Sequence, residues 1–149
     1  MKQRKVNGVG GKFLLVALGL LPAVAGRLMN WYFMRAGSAQ YFMPISAAFL
    51  IFWGLLAFAV SPLAKHAKEA ALLLNAAATI DLLLLGIQEI ILGSYWPNWF
   101  GAWTQLFLLP PLPVGSALAF WSRRMFPSYL ASVAFMLLIS WLGAKGRRR

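Results

Sequence analysis

From Phe42 to Ala64 the chain carries no ionisable side chain. At about 1.5 Å of rise per residue, a helix of that length crosses a hydrocarbon layer ~30 Å thick. A water-soluble helix as long as this needs a charged face, and this one has none. The same test marks further apolar runs at 13–34, 70–92, 103–121 and 129–143. The first accepts Arg27 within it, and the last is short for a crossing. Hydrophobic residues make up 61% of the 149 residues and charged ones 11%, too few charges to cover a soluble domain. Fourteen Lys and Arg face three acidic residues, and Cys is absent. An ordinary soluble enzyme and a disulfide-stapled secreted module are both excluded.

The fold expected is therefore all-α. It is a polytopic helical membrane bundle of four to five transmembrane segments in one integral membrane domain over 1–149, with basic tails at 1–12 and 144–149. Proline lacks a backbone donor and clashes with the preceding turn, so Pro110, Pro111 and Pro113 are expected to break the fourth segment. Trp31, Tyr32, Tyr41, Tyr95, Trp96, Trp99, Trp103, Trp121, Tyr129 and Trp141 lie near the ends of runs, where aromatic rings favour the headgroup level. Trp53 alone among the tryptophans sits mid-run.

Two readings of the first segment compete. Lys2, Arg4, Lys5 and Lys12 precede a short apolar stretch ending in Ala23-Val24-Ala25, the small-x-small form of a signal-peptidase site cut after Ala25. The other reading retains this stretch as a first membrane helix, extended through Met34. Both place the basic N-terminus in the cytoplasm of a bacterial-type cell membrane. Four crossings return the C-terminal Lys145, Arg147, Arg148 and Arg149 to the cytoplasm; they arise if the fourth segment is re-entrant, which leaves Arg123 and Arg124 outside, or if the short fifth segment does not span. Five crossings do the reverse. The larger C-terminal block of charge favours four.

All three acidic residues, Glu69, Asp81 and Glu89, fall at or within the third segment. An ionisable group in mid-bilayer costs about 2.5–3.5 kcal/mol on insertion scales, so it calls for a partner or a wet cavity. At about 100° per residue Asp81 and Gln88 share a helix face, with Glu89 roughly 80° away and Asn75 roughly 120° away. Arg27 falls between Asp81 and Glu89 in depth. Arg27, Asn75, Asp81, Gln88 and Glu89 form a candidate intramembrane polar cluster, either pinning helices together or marking a proton or solute path.

No catalytic, cofactor-binding or metal-binding residue is assigned. His66 is the single histidine and lies in a Lys-flanked link, and without Cys no His/Cys zinc site can be assembled. Asp81 and Glu89 are about 12 Å apart along a helix, too far to share a proton. The net charge of +11 lies in tails and links, where the positive-inside bias accounts for it without nucleic acid. The partners expected are the lipid bilayer and another membrane protein or a second copy. The function expected is that of a non-catalytic accessory or structural subunit of a membrane complex. The alternative is a small oligomeric transporter or channel that uses Arg27, Asp81 and Glu89.

Overall fold

A computed structural model describes residues 9–36 and 39–148. The described residues are 81% helical, with no strand among them. Helices α1 (Val9–Leu18) and α2 (Leu21–Ala36) together make one stretch long and apolar enough to cross a membrane. The joint between them follows from Pro22, which has no N–H to return to Leu18. Leu20 N–H donates instead to Ala17 at 3.1 Å, and Ala23 N–H to Leu20 at 3.0 Å. Helix α3 (Phe42–Val60) continues into a 3-10 turn at Ser61–Leu63 that takes Pro62 near its start, where a missing donor costs little.

The third run is not straight. Helix α4 (Ala67–Leu74) meets α5 (Ala76–Gly86) at a 50° bend centred on Asn75, and a π-helical turn at Ile87–Ile91 extends α5. The Asn75 side-chain amide donates to the carbonyl of Ala71 at 2.8 Å, while the Asn75 backbone N–H uses the same oxygen at 3.1 Å. Such back-bonding competes with the helical ladder and bends it. The bent pair is a fourth candidate span when it is counted as one.

The fourth run divides into α6 (Trp99–Phe107) and α7 (Leu112–Leu118), neither of them long enough to cross a bilayer. Asn98 caps α6 by accepting from Gly101 N–H at 2.9 Å, so that helix starts four residues before the apolar run at 103. The fifth run is longer than its apolar stretch of 129–143. Helix α8 spans Phe126–Gly146 and is long enough to cross, because Pro127 is tolerated in the first turn and Lys145 is favourable in the last.

Trp53 lies at the centre of the core, fully buried among Leu50, Leu74, Leu85, Leu108, Val133 and Met136. Helices α3 and α8 cross with almost no space between them. A Cβ on Gly143 would fall onto the Gly54 carbonyl, and nearby the Ser61 hydroxyl donates to the Ala144 carbonyl at 3.1 Å. Helix α6 runs antiparallel to α2, the chain reverses at 108–111, and α7 packs along the first half of α8. One end of the bundle gathers Lys12, the links around 61–69 and the C-terminus. There Lys12 pairs with Glu69 at 2.6 Å, Arg147 donates to the Ala59 carbonyl and Arg148 to the Ala64 carbonyl, each at 2.7 Å.

Candidate functional site

The polar residues singled out along the third run occupy separate places in the bundle. Asn75, with no exposed surface, joins three helices. Its Oδ1 accepts from Trp53 Nε1 at 3.1 Å, and its Nδ2 donates to Ser140 Oγ at 2.7 Å. Ser140 in turn donates to the Met136 carbonyl at 2.5 Å. Asn75 thus uses both of its amide hydrogens and its oxygen within the chain.

Gln88 and Glu89 brace the loop that follows the π turn. Gly93 turns this loop with a positive φ of 67°, and Ser94 N–H donates back to the Gln88 carbonyl at 3.1 Å. The Gln88 side chain is fully buried, donating to Thr104 Oγ1 on α6 at 3.1 Å and accepting from Trp96 N–H at 2.9 Å. Thr104 passes its own proton to the Gly101 carbonyl at 2.8 Å. Glu89 accepts from the Tyr95 hydroxyl. Burial, with the Glu89 contact adding to it, holds the Tyr95 hydroxyl above its ordinary range, so it remains a donor. The π turn sets this arrangement by winding wider than an α-helix, so one turn of it presents Gln88 inward and Glu89 towards the loop.

Asp81 is different. It is 7% exposed, and its Oδ2 has no hydrogen-bond partner among the described residues. Neither Asp81 nor Glu89 pairs with Arg27; Lys12–Glu69 is the one ion pair among the described residues. Arg27 lies on the face of α2 that meets α6. Trp103 intercepts it there, its ring centroid 5.1 Å from the guanidinium carbon. Depth follows from residue rise, whereas rotation about the helix axis is set by packing.

Arg27 instead lines a cleft of about 380 Å³ between α2 and α6, with Asn30, Trp31, Trp99, Trp103 and Leu106 among its walls. One turn above, Arg35 stacks on Trp31 at 4.4 Å. The cleft is an aromatic slot with a fixed positive charge, the residue types that dominate binding hot spots. No family model, curated protein or solved structure matches this chain. The arrangement of its own residues therefore carries the functional reading. Among the described residues no group of three or more His, Asp or Glu could hold a metal ion.

Trp53, Ser140, Thr104, Tyr95 and Trp103 lie outside the polar set that the sequence marks. A lone mid-run Trp is a signal that was available, since a buried indole N–H calls for an acceptor. A serine or threonine within an apolar helix carries no such mark, because its hydroxyl can be satisfied by its own helix.

Proposed function

We propose that this chain is a non-catalytic accessory subunit of a larger complex in a bacterial-type cytoplasmic membrane, and that the α2/α6 cleft is its docking face. The observation that carries this reading is the division of labour among polar groups. Asn75, Gln88 and Glu89 are engaged in tying the chain to itself, while Arg27 and three tryptophans are presented at a lateral opening. Docked there, the bundle crosses the membrane four times with both tails cytoplasmic, and α6 and α7 form a re-entrant hairpin tipped by Pro110 and Pro111. The first helix is retained in this reading. A cut after Ala25 would remove the Lys12 partner of Glu69 and the fully buried Leu15.

The test is purification of the tagged full chain in a mild detergent. The expected result is a stoichiometric membrane partner that is lost with Arg27→Ala and Trp99→Ala, in protein whose thermal midpoint is unchanged. A chain that runs alone, or a partner that both variants retain, would defeat the reading. The unpartnered Asp81 oxygen favours a second one, in which the chain is a small oligomeric transporter or channel. Ion or proton flux in reconstituted vesicles that Asp81→Asn abolishes would establish it.

A further inference from the structure

Between α4 and α8 lies a groove of about 350 Å³ walled by Ala71, Leu72, Leu137, Leu138 and Trp141, with Lys68 at one end. Its walls are apolar and its mouth is cationic. Lys145, one turn beyond Trp141 in the last turn of α8, lies over the indole ring at 4.8 Å, and Trp141 is itself half-buried. Lys68 and Lys145 are both exposed.

The other cations at this end are mostly engaged. Lys12 is paired with Glu69. Arg148 donates to Ser61 Oγ and to the carbonyls of Ser61, Ala64 and Lys65, and Arg147 donates to those of Phe58 and Ala59. Lys68 and Lys145 have no ion pair among the described residues. One ammonium group, that of Lys68, thus lines the slot, and a second, that of Lys145, lies over the indole that forms part of its wall.

We propose that this groove is a binding site for an anionic phospholipid, its acyl chain lying along Leu72, Leu137 and Leu138 and its headgroup held between Lys68 and Lys145. The charge pattern selects the occupant. A zwitterionic lipid offers the same chain without the net negative charge, and a protein helix would leave two ammonium groups with no counter-ion at its edge. Each lysine near an anionic headgroup contributes roughly a fivefold preference, so the pair gives roughly 30-fold. The proposal requires a bilayer around the bundle and is independent of what the α2/α6 cleft meets.

The experiment is native mass spectrometry of the delipidated full chain, titrated separately with phosphatidylglycerol and phosphatidylcholine. Wild type is expected to bind the first phospholipid at its tightest site roughly 30-fold better than the second. Lys68→Gln with Lys145→Gln should erase that preference, whereas Lys68→Arg with Lys145→Arg should keep it. Lys65→Gln, which removes a charge at the same end away from the groove, should leave it unchanged. Equal binding of the two lipids by wild type overturns the site. So does a preference that survives the double glutamine variant or that Lys65→Gln removes equally, since either result reduces the effect to general surface charge.

Discussion

Asn75 has the most to lose from a single change, because three helices depend on its side chain. Asn75→Ala leaves the Trp53 indole N–H without its acceptor in a buried site. Measured couplings between polar residues in membrane proteins average about 0.6 kcal/mol and reach about 1.7, while a stranded buried donor costs about 1–3. Asn75→Ala is therefore expected to destabilise the detergent-solubilised protein by about 1–2 kcal/mol, read from its unfolding equilibrium. Trp53→Phe alone should cost less, and the double variant should cost less than the sum of the two. Strict additivity would show that the Trp53–Asn75 bond at 3.1 Å contributes nothing to the fold. Asp81 should respond with the opposite sign. With one oxygen unpartnered and the residue 7% exposed, Asp81→Leu replaces a poorly satisfied polar group by an apolar one of similar size. A gain on the order of 1–3 kcal/mol is expected in the same assay, and a loss would mean that Asp81 holds a contact the bundle needs.

At the scale of helices, what could be read from the sequence depended on how each boundary is made. Phe42–Val60 was legible because absence of charge is a property of the run itself. The full length of α8 was not, since Pro127 and Lys145 look like limits yet are compatible with the first and last turns of a helix. The bend at Asn75 depends on which acceptor its amide finds, and the placement of Arg27 against Trp103 depends on how α2 turns towards α6. The cap at Asn98, followed by Gly101, was a readable start signal for α6. Helices α2 and α6 approach closely at Gly26. A Cβ on Gly26 would collide with the Leu106 carbonyl and press on Pro110, so Gly26→Val should cost on the order of 1–3 kcal/mol by overpacking. It should also shift Trp103 away from Arg27, seen as a change in tryptophan fluorescence, whereas Gly10→Ala, where a Cβ meets open space, should change neither. Intact mass of the membrane-extracted protein should include Lys12–Ala25, since α1 and the start of α2 carry core residues; a mature chain beginning at Gly26 would show that the helix is dispensable.

Taken as a whole, the bundle is apolar on its flanks as well as in its core. Phe52, Leu55, Leu72, Ile80, Leu83, Leu130 and Leu142 lie exposed on its flanks, while Ser46, Asn75, Asp81, Gln88, Thr104 and Ser140 are buried. A surface of that kind agrees with the three to four helices that are long and apolar enough to cross a membrane. Lys12, Lys65, Lys68, Lys145, Arg147 and Arg148 collect at one end, against Arg35, Arg123 and Arg124 elsewhere, and the orientation proposed above, with the larger group in the cytoplasm, can be tested. Since the chain has no cysteine, single substitutions can report the side of each end without background. Gly10→Cys and Gly146→Cys should react with a membrane-impermeant maleimide only after the cytoplasmic face is opened, and Asn98→Cys in intact cells. Arg123→Cys decides the topology. A re-entrant α6–α7 hairpin places it with Asn98, reactive from outside, because the chain entering at Trp99 leaves by the same face. Labelling of Arg123→Cys together with Gly10→Cys would instead make 99–118 a true crossing, and α8 would then have to carry its C-terminal arginines away from the Ser61 and Ala64 carbonyls that hold them.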